Sequence, residues 1–114
     1  RDSSTSRGLG DVYKRQDNGG AIPSNVIIAA NTTSNDIYIT KCKEHKLPIH
    51  PARMAPAIPE FFINFLTRPG DIVLDCFAGS NTTGATAEKL GREWISIELD
   101  RDYYEGSKYR LGRK

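Results

Sequence analysis

The chain has 114 residues, of which 38% are hydrophobic and 26% charged, with a formal net charge of +2 at neutral pH. That length allows one domain or part of one. No apolar run approaches the ~20 residues of a membrane span and the N-terminus carries no signal-peptide pattern, so a cytoplasmic protein with no membrane partner is expected. The excess charge sits in the first sixteen residues, where Arg1, Arg7, Lys14 and Arg15 face Asp2 and Asp11; the remaining twelve basic and twelve acidic side chains balance, and no basic patch argues for nucleic acid.

Residues 1–16 (RDSSTSRGLGDVYKRQ) are rich in Ser, Gly and Arg without a sustained period. They are similar to translated adapter sequence, or else form a disordered tail, and either reading sets them aside from the fold. Asp17-Asn18-Gly19-Gly20 reads as a turn. Asn25–Ala30 and Asp36–Thr40 are β-type stretches separated by a polar loop at Asn31–Asn35, so residues 17–48 are expected to hold loop and strands. Between Lys46 and Pro59 four prolines, Pro48, Pro51, Pro56 and Pro59, forbid a regular helix and favour an extended path. Pro59 suits the first turn of a helix, with Glu60 well placed for its dipole. Ile58, Phe62, Phe65 and Leu66 then recur at helical spacing and are expected to face the core, before Arg68-Pro69-Gly70 ends the helix.

Asp71–Asp75 (DIVLD) has the short, apolar, β-branched character of a buried parallel strand. Cys76–Asn81 is a loop of small residues, Thr82–Leu90 a helix ended by Gly91, and Glu93–Leu99 a second strand. Asp100 caps a last helix from Arg101 to about Leu111, whose tyrosines 103, 104 and 109 are expected to pack or lie on the surface. Strand, helix, strand and helix in that order predict an α/β fold with a right-handed parallel crossover. The two cysteines, Cys42 and Cys76, make no disulfide framework. With His45 and His50 they lack a paired C-x-x-C knuckle, and no metal site is predicted.

The segment after DIVLD, Phe77-Ala78-Gly79-Ser80-Asn81-Thr82-Thr83-Gly84, runs straight into a helix. In an open α/β sheet ligands bind past the C-terminal ends of strands, where this loop falls. Gly79 and Gly84 have P-loop spacing, but Ala85 stands where the phosphate-binding Lys is needed. A dinucleotide fingerprint would want a middle glycine, and Asn81 occupies that place. A nucleoside without phosphates needs instead a carboxylate at the end of the next strand for its ribose hydroxyls. Glu98 follows Gly79 by nineteen residues, near the expected ~20. Among nucleotide-type ligands, S-adenosylmethionine fits this pattern best.

His50 to about Leu111 carries His-Pro-Ala before a Pro-rich helix start, Pro-Gly-Asp before the strand, Phe-Ala-Gly-Ser-x-Thr-Thr-Gly, Gly-Arg, then Glu98 and a downstream Tyr. This stretch resembles the C-terminal part of the amino-group (N4-cytosine/N6-adenine) DNA methyltransferases, in the permuted group whose catalytic half precedes the cofactor half. The resemblance implies a partial Rossmann-like S-adenosylmethionine-dependent methyltransferase fold, with residues 49–114 as its cofactor-binding part and 17–48 as the end of a target-recognition or linking region. It implies that Asp75, Phe77, Gly79, Ser80, Asn81 and Thr82 line the methionine side of the cofactor. Glu98 would hold the ribose, with Leu99 beside the adenine. The His50–Arg53 segment, with Ala52 and Arg53, would lie near the methionine carboxylate. Cys76 stands where Pro is usual, Met54 where Phe is frequent, and Asn81 replaces a common Gly, which slightly favours N4 of cytosine over N6 of adenine.

The family's acceptor motif, Ser/Asp/Asn-Pro-Pro-Tyr/Phe, is not in the sequence, which contains no Pro-Pro pair. The permuted order places that motif upstream, so the chain is expected to hold most of the cofactor site, to reach DNA only through the upstream part, and not to methylate alone. A cognate restriction endonuclease would belong to the same system without being a stable partner. Two other readings stay open on the residues: a non-catalytic nucleoside-binding module or relic, and an NAD-type oxidoreductase on the same sheet.

Overall fold

The computed structural model describes residues 24–30 and 36–112. The expected tail at 1–16, the turn at 17–20 and the loop at 31–35 lie outside the described residues.

Among the described residues the first helix, α1, is Ile37–Glu44, and it replaces the strand expected over Asp36–Thr40. Asp36 is extended and its carboxylate accepts the Tyr38 N–H at 3.0 Å, a side-chain N-cap. The β-branched run Ile37-Tyr38-Ile39-Thr40 prefers strand locally, but helical spacing sends Tyr38, Ile39 and Cys42 to one buried face against Leu47 and Ile49. Packing and the cap outweigh a propensity worth well under about 1 kcal/mol per residue. Asn25–Ala30 is also not a strand. Among the described residues the sheet has two strands, Ile72–Asp75 and Glu93–Ser96, and this segment pairs with neither.

Residues 47–55 form neither helix nor strand and bend at Pro51-Ala52, where the prolines forbid a regular helix. Helix α2, Ala57–Leu66, begins two residues before Pro59, which sits in its first turn where a missing N–H costs nothing. Strand β1 (Ile72–Asp75), helix α3 (Thr82–Lys89) and strand β2 (Glu93–Ser96) form a parallel crossover, with Ile72 beside Glu93 and Asp75 beside Ser96. Gly91, at φ +76°, makes the left-handed turn out of α3. Arg92 next to it is buried; its guanidinium donates to the Thr67 hydroxyl (2.9 Å), the Thr67 carbonyl (2.8 Å) and the Leu90 carbonyl (2.8 Å), tying the end of α2 to the start of β2. Helix α4, Arg101–Ser107, is capped by Asp100 and runs into a closing 3-10 turn at Lys108–Leu111.

Alternation along the strands gives the sheet two unequal faces. Val73, Asp75, Trp94 and Ser96 point toward α3, where Trp94 donates to Glu88 and Ser96 to Asn81. Ile72, Leu74, Ile95 and Ile97 point the other way and are 60%, 59%, 52% and 52% exposed. A groove of about 430 Å³ continues this bare face between β1 and α2, bordered by Ile58, Phe62 and Leu66. The α2 stripe expected in the core is therefore half-exposed, because no described residue lies over it.

Candidate functional site

The loop between β1 and α3 is shaped by short-range bonds that its own sequence supplies. The Asp75 carboxylate accepts the Phe77 N–H at 2.9 Å, turning the chain as it leaves the strand. Ala78 N–H reaches the Ile97 carbonyl at 2.9 Å, which holds the loop against the end of β2. Gly79 then adopts φ +53° and Asn81 φ +62°, both left-handed, so two of three consecutive residues reverse the chain before α3. At Gly79 a side chain would also meet the His50 ring, which lies 3.3 Å from where a Cβ would be.

Glu98 closes the loop from the neighbouring strand. One carboxylate oxygen accepts the Gly79 N–H at 2.7 Å and the other accepts the Asp100 N–H at 2.9 Å. Two backbone donors from separate segments thus fix the carboxylate at the C-terminal edge of the sheet, and each oxygen retains a lone pair for a further donor. On the same edge, Phe77 is 92% and Leu99 99% exposed. Large apolar side chains held in water beside a fixed carboxylate offer a flat ligand surface to pack against.

Ser80, Asn81 and Thr82 are buried, and their side chains bond within the protein. Asn81 Oδ1 accepts the Ser96 hydroxyl at 2.6 Å and covers Gly84, while the Ser80 and Thr82 hydroxyls lie 3.3 Å apart. A Cβ on Gly84 would stand 2.9 Å from Asn81 Cγ, so glycine is required there by close approach. The Asn81 that stands in place of a middle glycine therefore acts inward, as a plug between α3 and β2.

Ala52 and Arg53 belong to a second cluster. His50 Nδ1 lies between the Ala52 carbonyl and amide, at 3.1 and 3.2 Å, and Arg53 donates to the His50 carbonyl at 3.1 Å. Arg53 borders a small cleft with Asp36, Met54 and Arg110, apart from Glu98. The His50 ring bridges the clusters: one side faces Gly79, and it tilts against Tyr103 with centroids 4.6 Å apart. A third cleft, about 360 Å³, runs beside β2 and brings Asn81 and Glu98 together with Trp94, Tyr104 and Lys108.

Four supporting residues escaped the sequence reading: Asp36, Tyr38, Ser96 and Arg110. Asp36 two residues before Tyr38, with Cys42 four further on, is a cap-and-face pattern that could have revealed α1. Arg110 has no local signal, because its partners Ser80 and Asp36 lie 30 and 74 residues away.

Among the described residues, no group of three His, Cys, Asp or Glu side chains is placed to hold a metal ion, and no helix is long and apolar enough to cross a membrane.

A family model described as DNA methylase matches residues 4–109. The Type II methyltransferase M.PvuII of Proteus hauseri is 47% identical over 96 residues, covering 84% of this chain and 29% of that protein. The Type II methyltransferase M2.LlaDCHI of Lactococcus lactis subsp. cremoris is 37% identical over 75 residues, covering 66% of this chain and 28% of its own length. The chain thus spans under a third of the curated relatives it matches. Among solved structures, PvuII DNA methyltransferase (cytosine-N4-specific) aligns with a TM-score of 0.76 at 42% identity, over 89% of this chain and 35% of that one. The M1.HpyAVI–SAM complex aligns with a TM-score of 0.59 at 31% identity, over 80% and 42%. The parallel crossover and its helices are therefore part of the Rossmann-like fold of such methyltransferases.

Proposed function

Because the chain belongs to the DNA methylase family whose model spans residues 4–109, we propose that it is the cofactor-binding part of an S-adenosylmethionine-dependent methyltransferase acting on an exocyclic amino group of a DNA base. N4 of cytosine is the favoured acceptor, supported by the likeness to a cytosine-N4-specific enzyme at 42% identity. Residues 49–114 form the cofactor part, and 17–48 the link to target recognition.

The observation that carries the reading is Glu98, fixed by the Gly79 and Asp100 amides at the C-terminal edge of β2. A carboxylate held there by backbone donors can accept both ribose hydroxyls without reorganising. Phe77 and Leu99 supply apolar surface for the nucleoside, and the loop has no lysine for a phosphate, since Ala85 follows Gly84. The residues present thus suit an unphosphorylated nucleoside. When bound, S-adenosylmethionine supplies an electrophilic methyl group on a sulfonium. This chain's residues bind and orient it: Glu98 by the ribose, the Gly79–Thr82 backbone on the methionine side, and Asp75 by fixing the turn at Phe77. Arg53, two residues beyond the Pro51 turn, is proposed to pair with the methionine carboxylate.

Transfer itself needs a base extruded from the duplex and an acceptor motif to hold its amino group. The 114 residues hold no Pro-Pro pair, so the isolated chain is expected to bind cofactor and not to methylate. The bare face of Ile72, Leu74, Ile95 and Ile97, with the α2 stripe, is where the remaining methylase elements would pack, because a parallel sheet is normally covered on both faces. The Type II relatives point to a restriction–modification setting, with an endonuclease acting on the same DNA and not as a subunit.

Calorimetric titration of the chain with S-adenosylhomocysteine and, separately, with NAD tests the reading. Binding of S-adenosylhomocysteine is expected; binding of NAD alone would replace the methyltransferase with an oxidoreductase.

A further inference from the structure

The carbonyl of Ser80 poses a specific problem. Asn81, in its left-handed conformation, swings the chain so that the Asn81 carbonyl accepts from Ala85 in the first turn of α3 at 3.1 Å. The Ser80 carbonyl, one residue earlier, is buried with its residue and takes its donor from outside the loop: Arg110 Nε, 3.1 Å away, from the closing 3-10 turn. The same guanidinium forms an ion pair through Nη1 with Asp36 and lies 4.5 Å from the centroid of the Tyr38 ring. The Arg110 and Asp36 side chains are only 11% and 16% exposed. Tyr38 in turn accepts the His50 N–H on its hydroxyl at 3.0 Å, and the His50 ring fills the space beneath Gly79. Two consecutive loop residues, Gly79 and Ser80, are thus propped from one node on α1, through His50 and through Arg110.

From this arrangement we propose that Arg110, with Asp36 as its counter-charge, is a positioning residue that sets the conformation of the Gly79–Thr82 loop and thereby tunes affinity for the nucleoside cofactor. The importance for affinity rests on the cofactor reading above; the control of loop conformation does not. Three features make arginine the required side chain. A planar guanidinium donates to Ser80 and Asp36 from different nitrogens at once and stacks on Tyr38 with its face. A lysine ammonium keeps the charge but is a point donor and cannot span both acceptors while covering the ring. The Ser80 carbonyl shares its peptide plane with the Asn81 N–H, which donates to the Ala78 carbonyl at 2.7 Å, and that carbonyl lies in the same peptide plane as the Gly79 N–H that bonds Glu98.

The test uses the full chain with Arg110→Lys and Asp36→Asn. The asparagine variant retains a side-chain oxygen for the Tyr38 N–H cap while removing the counter-charge. Amide hydrogen exchange without ligand is followed at Gly79–Thr82 and, as an internal reference, along α2. Losing one well-placed hydrogen bond corresponds to about tenfold faster exchange in the loop, with α2 unchanged. Arg110→Lys is expected to show this in full and Asp36→Asn in part. The affinity of Arg110→Lys for S-adenosylhomocysteine should fall by a similar factor of about ten.

Uniform acceleration of loop and α2 would mean that Arg110 merely stabilises the fold and would overturn the proposal, as would unchanged loop exchange. Selective loop acceleration with wild-type affinity would reject the tuning of the cofactor site. Selective acceleration in a chain that binds no S-adenosylhomocysteine even as wild type would leave the positioning role standing and remove the cofactor reading instead.

Discussion

Replacing Glu98 separates a structural role from a binding role, because the structure gives its carboxylate two tasks at once. In the free chain it accepts the Gly79 N–H at 2.7 Å and the Asp100 N–H at 2.9 Å. A hydrogen bond to a charged acceptor contributes about 1.5–3 kcal/mol when buried, and Glu98 is only partly buried, so water recovers much of each bond. Glu98→Ala is therefore expected to cost about 1–2 kcal/mol of stability in urea unfolding. On the ligand side the bonds proposed for Glu98 are those to two ribose hydroxyls, and losing them would cost about 2 kcal/mol or more of affinity for S-adenosylhomocysteine, near 30-fold. Glu98→Gln sharpens the comparison: its amide NH2 must confront either the Gly79 or the Asp100 N–H, so it loses one backbone bond and the charge. Its stability should fall between wild type and Glu98→Ala, with affinity reduced nearly as far as in the alanine variant. Calorimetry of S-adenosylhomocysteine binding together with urea melts reads both quantities. Unchanged affinity in Glu98→Ala would refute the ribose assignment, and unchanged stability would refute the bracing of the loop.

Two further outcomes follow from the packing. Gly84→Ala would place a Cβ 2.9 Å from both Asn81 Cγ and Nδ2, forcing that side chain off Ser96. Overpacking of this kind costs about 1–3 kcal/mol, more than the ~1 kcal/mol that alanine gains over glycine in a helix, so the melting temperature should drop. Adding Asn81→Gly should recover part of the loss, and an unshifted melt in Gly84→Ala would show that Asn81 does not plug the seam. At alkaline pH, burial pushes the Cys42 thiol and the Tyr38 phenol above their ordinary values of 9.0 and 10.0. The unfolded chain therefore releases these protons first, so stability is fully present below about pH 9 and declines as pH rises through the folded-state values. Tyr38→Phe should flatten the upper part of that decline; a stability independent of pH up to 11 would contradict the burial of both groups.

What could be read from the sequence is what depends on neighbours along the chain. DIVLD, the glycine-rich turn after it, the helix ended by Gly91 and the carboxylate nineteen residues past Gly79 are local patterns, and each lies at or within a few residues of its expected place. The assignment of Asp36–Thr40 failed for an equally physical reason. Ile37-Tyr38-Ile39-Thr40 reads as strand by side-chain shape, and the Asp36 cap together with the burial of Tyr38 and Cys42 beneath Arg110 and Gly106 makes the helix win. The props of the loop were illegible because they are long-range: His50 meets Gly79, and Arg110 meets Ser80 and Asp36, across separations that no periodicity encodes. The expected burial of Phe62, Phe65 and Leu66 is not met, because helical spacing marks an apolar face without supplying its cover, and nothing among the described residues covers that stripe.

That uncovered surface bears directly on whether a cofactor site can exist in so small a part of the fold. The contacts described around the loop, from Asp75, Arg110, His50, Ser96 and Glu98, close within residues 36–112. Of these and the other loop bonds, only the Ala78 N–H to the Ile97 carbonyl touches the bare face, and it does so through the backbone, so no side chain of Ile72, Leu74, Ile95 or Ile97 takes part. The site and the bare face are therefore separable, and charges introduced on one should leave the other intact. Leu74 and Ile95 stand directly opposite each other in the register, so Leu74→Glu with Ile95→Lys forms an opposed-charge pair across the strands. Both side chains are more than half exposed, and the stability change should stay within about 1 kcal/mol. The wild-type chain is expected to self-associate through this apolar face and to bind an apolar dye, and the paired variant to sediment as a monomer with little dye binding. Its affinity for S-adenosylhomocysteine should equal that of wild type. A variant that becomes monomeric but loses affinity would show that the loop depends on what covers the sheet, and that the cofactor site is not preorganised by its own bonds.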